Sequence, residues 1–363
     1  MMQCDDYELS INNLYNSEKI TDSLKPLWYN FQNWKSIKYD SNELLKKLDY
    51  YLSKYNSKNI KPIKFVELGR NRKSNANLNG QSRVYLSWDV IGSDIDNPLK
   101  LVVEKTFKNR KVKENAVKIY KHIKRFNRIK KDIINYRSDN NNSIFFEWLP
   151  NTCNLNDIAI TKKFKDDKLN IDLLKIFYRM VYTIIYLKEI GIAHRDIKPG
   201  NFLIKIERFF EFDNAFTSSD IIPVIIDFGF STFFKDYINE PNMLVTDMKG
   251  TPLYAAPEVF DFDELEYCPF KADVWSLGLT LYKLKMGENL FQIKFDDDEI
   301  IYDSNYHKFI DSNLRDEDRF KSCLNSDIRD IILACCNYHP DKRISLYKLK
   351  ELVANKIKKI YYE

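Results

Sequence analysis

Paired cysteine spacing of the kind that holds a metal ion is missing: Cys4, Cys153, Cys268, Cys323, Cys335 and Cys336 are scattered over 363 residues. A zinc-stapled module is therefore excluded, and adjacent Cys335 and Cys336, inside an apolar helical run, read as buried free thiols of a reducing compartment. No apolar run approaches the ~18 to 20 residues that span a bilayer. Met1 to Asp6 offers neither a basic n-region nor an apolar h-region, so no secretory leader or membrane insertion is expected. These absences make a cytoplasmic protein the default, with nuclear or virus-associated placement as alternatives. No internal repeat is apparent. A strong charge imbalance is lacking too, and the net +5 does not argue for a nucleic-acid partner. Hydrophobic residues make up 44%, enough for a sizeable core, and charges of both signs are interspersed as in a globular chain. Heavy use of Asn, Lys, Ile and Tyr fits the coding bias of an AT-rich genome, in a virus, a protist or a bacterium, and says nothing about chemistry.

Against these absences stands one dense stretch, His194-Arg195-Asp196-Ile197-Lys198-Pro199-Gly200-Asn201, followed by Asp227-Phe228-Gly229. It places a candidate base (Asp196), a phosphate-facing cation (Lys198) and a metal-ligating amide (Asn201) at fixed offsets, with a second metal-ligating group at Asp227. Downstream come Gly250-Thr251-Pro252-Leu253-Tyr254-Ala255-Ala256-Pro257-Glu258, then Asp273-Val274-Trp275-Ser276-Leu277-Gly278, then His339-Pro340-Asp341-Lys342-Arg343. Coincidental turns do not produce such motifs in this order. The set resembles the eukaryotic-type protein kinases, and Lys198 with Gly250-Thr251-Pro252 resembles their serine/threonine branch.

The resemblance implies an α+β, bilobal protein-kinase fold with a small β-rich lobe and a larger helical one. It implies an N-lobe over 61–147, a C-lobe over 148–363 and an extension over 1–60. That extension carries helical stripes at Leu27, Phe31 and Trp34 and at Leu44, Leu48, Tyr51 and Tyr55; its helices pack on the kinase core or serve as a regulatory or docking site. The implied reaction is transfer of the γ-phosphoryl group of ATP to Ser or Thr hydroxyls of a protein substrate, with Mg2+, or alternatively Mn2+, as the metal. Asp196 would orient the acceptor hydroxyl, Lys198 would neutralise the moving phosphoryl, and Asn201 and Asp227 would hold the metal.

By the same resemblance, Lys105 at the end of Leu101-Val102-Val103-Glu104-Lys105 would hold the α- and β-phosphates and Glu114 would pair with it, against the bland reading of two solvated side chains. Lys118 stands where one turn further on an apolar residue is expected. Val84, Val103 and Leu203 would line the adenine pocket, and Phe146 with the backbone of Glu147 and Leu149 would form the hinge. The phosphate-covering loop is degraded: Gly69 and Gly80 remain, but Asn79 and Ser82 stand where glycines would be, so looser phosphate clamping is expected. Residues 207–219 read as an outward loop, and 326–358 as one terminal helical region. Glu258 and Arg343 read as a buried ion pair, and Asp273 and His194 as internal organisers.

Arg195 is expected to reach the segment before Gly250, where Thr246 is a candidate phosphosite and Asp247 a partial substitute for phosphate. Lys108, Arg110, Lys111 and Lys113 resemble the basic helix start of acid-directed kinases such as casein kinase 2, which leans toward acidic substrates; Asp296 to Glu299 is the opposing cluster. Two other readings stay open: a pseudokinase scaffold, suggested by the altered glycine loop, and a small-molecule kinase, which would not need the Thr251 to Glu258 segment.

Overall fold

The computed structural model describes residues 64–68, 82–89, 100–126, 131–147, 149, 152–160, 163–205, 222–235, 243–260, 266–296, 299–302 and 326–362. Outside them lie the 1–60 extension, Gly69, Gly80, residues 207–219, Asp297 and Asp298. The described residues fall into two compact units, one ending at Lys113 but including Asn135 to Leu149, the other formed by Glu114 to Ile134 and everything from Thr152 onward.

The first unit is an antiparallel sheet of β1 (Lys64–Leu68), β2 (Ser82–Asp89), β3 (Lys100–Phe107), β4 (Tyr136–Asp139) and β5 (Ser143–Glu147), in the order β1-β2-β3-β5-β4. The two-residue period of β3 sorts its side chains: Val102 and Glu104 are buried, whereas Val103 and Lys105 are half-buried on the other face. A buried carboxylate needs a partner, and the Ser143 hydroxyl donates to Glu104 at 2.6 Å. Ile144, Phe145 and Phe146 make β5 an apolar core strand.

Helix α1 (Arg110–Ile123) begins where the Asn109 side chain accepts the N–H groups of Lys111 and Val112, an N-terminal cap. Lys113, counted with the basic cluster from sequence, instead turns inward: it is 6% exposed and pairs with Asp139 at 2.7 Å, while the Tyr136 hydroxyl donates to the other Asp139 oxygen. Lys108, Arg110 and Lys111 are exposed.

In the second unit, β6 (Thr152–Asn154) leads into α2 (Leu155–Ile160), and α3 (Asn170–Glu189) buries the stripe Leu173, Phe177, Val181 and Ile184. The chain then turns at Gly191, φ 77°, into β7 (Ile192–Ala193). β6 pairs with β8 (Phe202–Lys205) and β8 with β9 (Val224–Ile225), while β7 pairs with β10 (Thr232–Phe233).

Helix α4 (Pro269–Met286) is buried on nearly every side, which is why its sequence shows no polar stripe; proline opens it and Gly287, φ 75°, closes it. Even Lys285 is enclosed, its ammonium held by Asp167 at 2.7 Å and Asn170 at 2.8 Å. Next come the hairpin of β11 (Ile293–Asp296) and β12 (Glu299–Tyr302) and two helices, α5 (Ser326–Cys335), packed on α4, and α6 (Leu346–Tyr362), packed on α3. The single terminal helical region expected from sequence is thus broken, because Pro340 cannot donate to a helix and opens a short 3-10 turn, Pro340–Lys342. Cys335 and Cys336 are buried free thiols, and burial pushes the Cys336 thiol up to about 12. Among the described residues no helix is long and apolar enough to cross a membrane.

Candidate active site

The chemistry-bearing loop between β7 and β8 is held from below by α4. Asp273, 1% exposed, accepts the backbone N–H groups of His194 and Arg195 at 2.8 Å each. These bonds hold Arg195 at φ 67°, a left-handed conformation that a side chain of this size adopts only when its surroundings impose it. Burial pushes the Asp273 carboxyl up to about 7, while the two N–H donors and the Arg195 charge pull it down. The buried His194 ring accepts the Asp196 N–H at Nδ1, 3.3 Å, and lies 3.2 Å from the Ile226 carbonyl through Nε2. These partners assign the proton to Nε2 and a neutral ring. Burial lowers the pKa of His194, in keeping with that state.

Asp196 is the centre of the site. Its Oδ2 accepts from Lys198 Nζ at 2.8 Å and Asn201 Nδ2 at 2.9 Å, and its Oδ1 accepts from the Thr251 hydroxyl at 2.6 Å. Lys198 Nζ also reaches the Thr251 oxygen at 2.6 Å, so Asp196, Lys198 and the Gly250–Glu258 segment form one connected polar group. The 3-10 turn Pro199–Asn201 brings Asn201 back under Asp196, where Nδ2 also donates to the Asp196 carbonyl at 2.7 Å.

Asp227 follows β9 and, like Arg195, is a non-glycine residue at φ 67°. The next side chain, Phe228, is fully buried between the ring of Tyr120, at 5.0 Å, and that of His194, at 5.1 Å. Burial, with the Asp227 charge second, raises the pKa of the Tyr120 hydroxyl. The apolar contact expected one turn past Glu114 is thus made by Tyr120. Lys118 is exposed, with its ammonium 5.8 Å from the Phe233 ring.

A hard cation fits this donor set. Both hydrogens of Asn201 Nδ2 point at Asp196, which leaves the amide oxygen as the ligating atom, and Asp227 supplies a half-buried carboxylate. Asn201 and Asp227 are the residues that would hold Mg2+.

Arg195 projects to the segment before Gly250. Its Nη2 donates to the Asp247 carboxylate at 2.6 Å, the Asp247 carbonyl at 2.5 Å and the Tyr267 hydroxyl at 2.7 Å, and its Nη1 to the Thr232 hydroxyl at 2.8 Å. Lys249 pairs with the other Asp247 oxygen at 2.6 Å. Burial, the largest influence, pushes the Asp247 carboxyl up, but hydrogen bonds and charge from Arg195 and Lys249 outweigh it and hold it below 3.8. Thr246 is exposed. Gly250, at φ 130°, passes so near that a Cβ there would lie 2.9 Å from the Arg195 carbonyl oxygen, so only glycine fits.

The remaining candidates are distributed over the two units. In the first, Lys105 is half-buried, paired across the sheet with Val84 and Ile144, its ammonium 5.2 Å from the Phe107 ring. Val103 lies opposite Leu86 and Phe146. The Glu147 N–H donates to the Asn135 carbonyl at 2.9 Å, which ties the strand end to the chain entering β4, and Leu149 is half-buried just beyond. In the second, Leu203 is half-buried on β8 opposite Val224, and Glu114 is exposed in the first half of α1. Sequence reasoning missed Tyr120, Tyr267, Asn115 and Ser231. Only Tyr120 had a signal, as an apolar member of the α1 pattern with Ala116 and Ile119; the others act through partners far away in sequence.

A family model for the protein kinase domain matches residues 96–356 of the chain. The serine/threonine-protein kinase ksp1 of Schizosaccharomyces pombe is 28% identical over 228 residues, covering 61% of this chain and 44% of its own length. The serine/threonine-protein kinase ppk34 of the same yeast is 32% identical over 177 residues, covering 48% and 42%. Calcium-dependent protein kinase 13 of Oryza sativa subsp. japonica is 32% identical over 161 residues, covering 44% and 25%. The chain therefore spans less than half the length of these curated relatives.

Proposed function

The chain belongs to the protein kinase family, and on that premise we propose that it is an active serine/threonine kinase that transfers the γ-phosphoryl group of ATP to Ser or Thr of a protein substrate. The observation that carries this reading is the Asp196 carboxylate, gathered with Lys198, Asn201 and Thr251. Phosphoryl transfer leaves a protein little covalent work, so positioning and charge neutralisation are what the residues must supply. Asp196 accepts a hydrogen bond from the incoming hydroxyl and takes its proton as the oxygen–phosphorus bond forms. Lys198 faces the transferred group and offsets its charge. The bond to the β-phosphate oxygen breaks, ADP leaves, and the proton returns to solvent from Asp196. Bound Mg2+ would supply charge neutralisation between the phosphates. By resemblance to the family, Lys105 would hold the α- and β-phosphates, with Val84 and Val103 against the adenine.

The decisive experiment incubates the full chain with γ-labelled ATP, Mg2+ and generic protein substrates. Label on serine and threonine is expected; Asp227→Asn and Lys105→Met should each lose it at unchanged melting temperature, and Asp196→Asn should lose it with a lower midpoint, because its buried carboxylate also holds Lys198. Loss of general-base help alone is worth about 10² to 10⁴ in rate. A wild-type chain that binds nucleotide but transfers nothing would establish the scaffold reading instead, and transfer to small molecules alone would establish the small-molecule reading.

A further inference from the structure

Two non-glycine residues of the site, Arg195 and Asp227, are held at φ 67°. For Arg195 the restraint is evident, since Asp273 clamps its backbone. Asp227 has the buried Phe228 packed beside it, its carboxylate accepts the Gly229 N–H at 3.3 Å, and the Tyr120 hydroxyl meets the backbone of Asp227 and Phe228, so the far end of the turn, at Ser231, is the part that a further polar contact must hold.

At Ser231 such a contact comes from α1. Asn115, Lys118 and His122, at steps of three and four, lie on one stripe of the helix. Asn115 Nδ2 donates to the Ser231 carbonyl at 2.8 Å, Lys118 stands over the Phe233 ring, and the His122 ring is 4.1 Å from that ring with Nε2 3.0 Å from the Ile190 carbonyl. Ser231 is 1% exposed, and its remaining polar groups are also occupied: its hydroxyl donates to the His194 carbonyl at 3.0 Å and its N–H to the Phe228 carbonyl at 3.3 Å. One residue thus connects the helix, the turn that follows Asp227 and the loop that carries Asp196.

We propose that Asn115 is a positioning residue for phosphoryl transfer, its side-chain amide holding the Ser231 carbonyl and so fixing Asp227 against the Asp196 loop. The proposal rests on the protein-kinase reading above. Asparagine suits the task because a neutral donor meets a buried carbonyl without bringing a charge into the site. When the donor is absent, the Ser231 carbonyl is left buried and unpaired, and the turn relaxes toward solvent. Asp227 then meets its metal in fewer molecules, which lowers turnover and metal affinity and leaves protein-substrate binding alone.

The test compares full-length wild type with Asn115→Asp, which keeps the shape but points an acceptor at an acceptor, and Asn115→Gln, which restores a donor. For Asn115→Asp we expect kcat to fall about tenfold, equal to about 1.4 kcal/mol in barrier. The Mg2+ concentration for half-maximal rate should rise several-fold, with substrate KM unchanged and Asn115→Gln recovering most of the loss. Amide hydrogen exchange over 228–233 should quicken in Asn115→Asp alone. Wild-type turnover, Mg2+ dependence and exchange in Asn115→Asp would overturn the proposal, as would a loss confined to substrate KM. If the wild type transfers no phosphate, the kinase reading fails, whereas exchange and Mg2+-dependent ADP binding by calorimetry in the same variants still decide the role of Asn115.

Discussion

Arg343→Met isolates the ion pair that braces the Gly250–Glu258 segment. The Arg343 guanidinium has 0% side-chain exposure and the Glu258 carboxylate 4%, joined by Nη1 to Oε1 at 2.7 Å and Nη2 to Oε2 at 3.1 Å. Arg343 also donates to the Lys271 carbonyl at 2.7 Å and the Asn337 carbonyl at 3.1 Å, and lies 5.3 Å from the Trp275 ring. Methionine keeps much of the stem's packing but strands a buried carboxylate, which costs about 3 to 5 kcal/mol. At about 2 to 4 °C per kcal/mol for a unit of this size, the melting midpoint should fall on the order of 10 °C. Glu258→Gln should be milder, because Arg343 retains both carbonyls and the ring, and the loss is nearer the about 1.5 to 3 kcal/mol of a charge-assisted bond. The double variant Arg343→Met/Glu258→Leu removes both charges and should be more stable than Arg343→Met alone. Urea titration of the full chain, followed by tryptophan fluorescence with the slope checked for constancy, measures all three. An Arg343→Met variant within about 1 kcal/mol of wild type, or a double variant less stable than Arg343→Met alone, would refute the reasoning.

Asp247→Ala should lower turnover about two- to fivefold, the scale of a half-exposed pair, and a peptide-kinase assay with Thr246→Ala as background reads it. The Asp247 carboxyl is held below its ordinary value, so its contribution is present above pH 3.8 and is lost only as pH falls below that. Gly278→Ala should destabilise by about 1 to 3 kcal/mol, because a Cβ there would lie 2.6 Å from Cys336 Sγ and 2.7 Å from Cys335 Cβ; Cys336→Ala should recover part of that midpoint. For His194, burial sets the folded pKa below 6.5, so the neutral ring's contribution is complete above pH 6.5 and declines as pH falls below it. Wild-type stability relative to His194→Phe should shrink between pH 7.5 and 5.5; a constant difference would mean the ring is not buried neutral.

Much of the site was legible because its geometry is local. Asp196, Lys198 and Asn201 lie within six positions, with Lys198 preceding and Asn201 closing a 3-10 turn, so their spacing alone places them near one another. The stripes of α3 and the apolar run of β5 were legible for a similar reason, since a periodic pattern states which face is buried. Lys113 shows where that reasoning stops. Beside Lys108, Arg110 and Lys111 it reads as another solvated charge, and its burial follows from Asp139 standing opposite, 26 positions away.

The sequence motifs, through the family they resemble, determined the fold class, and their short spacing singled out Asp196, Lys198, Asn201 and Asp227 as candidate site residues. Tertiary structure alone decided which residue packs on Phe228 and which carbonyl the Asn115 amide meets. The Asn115 bond joins residues 116 positions apart. No local propensity specifies such a contact; it exists because packing of the buried core brings a half-buried amide to a carbonyl that would otherwise have no donor.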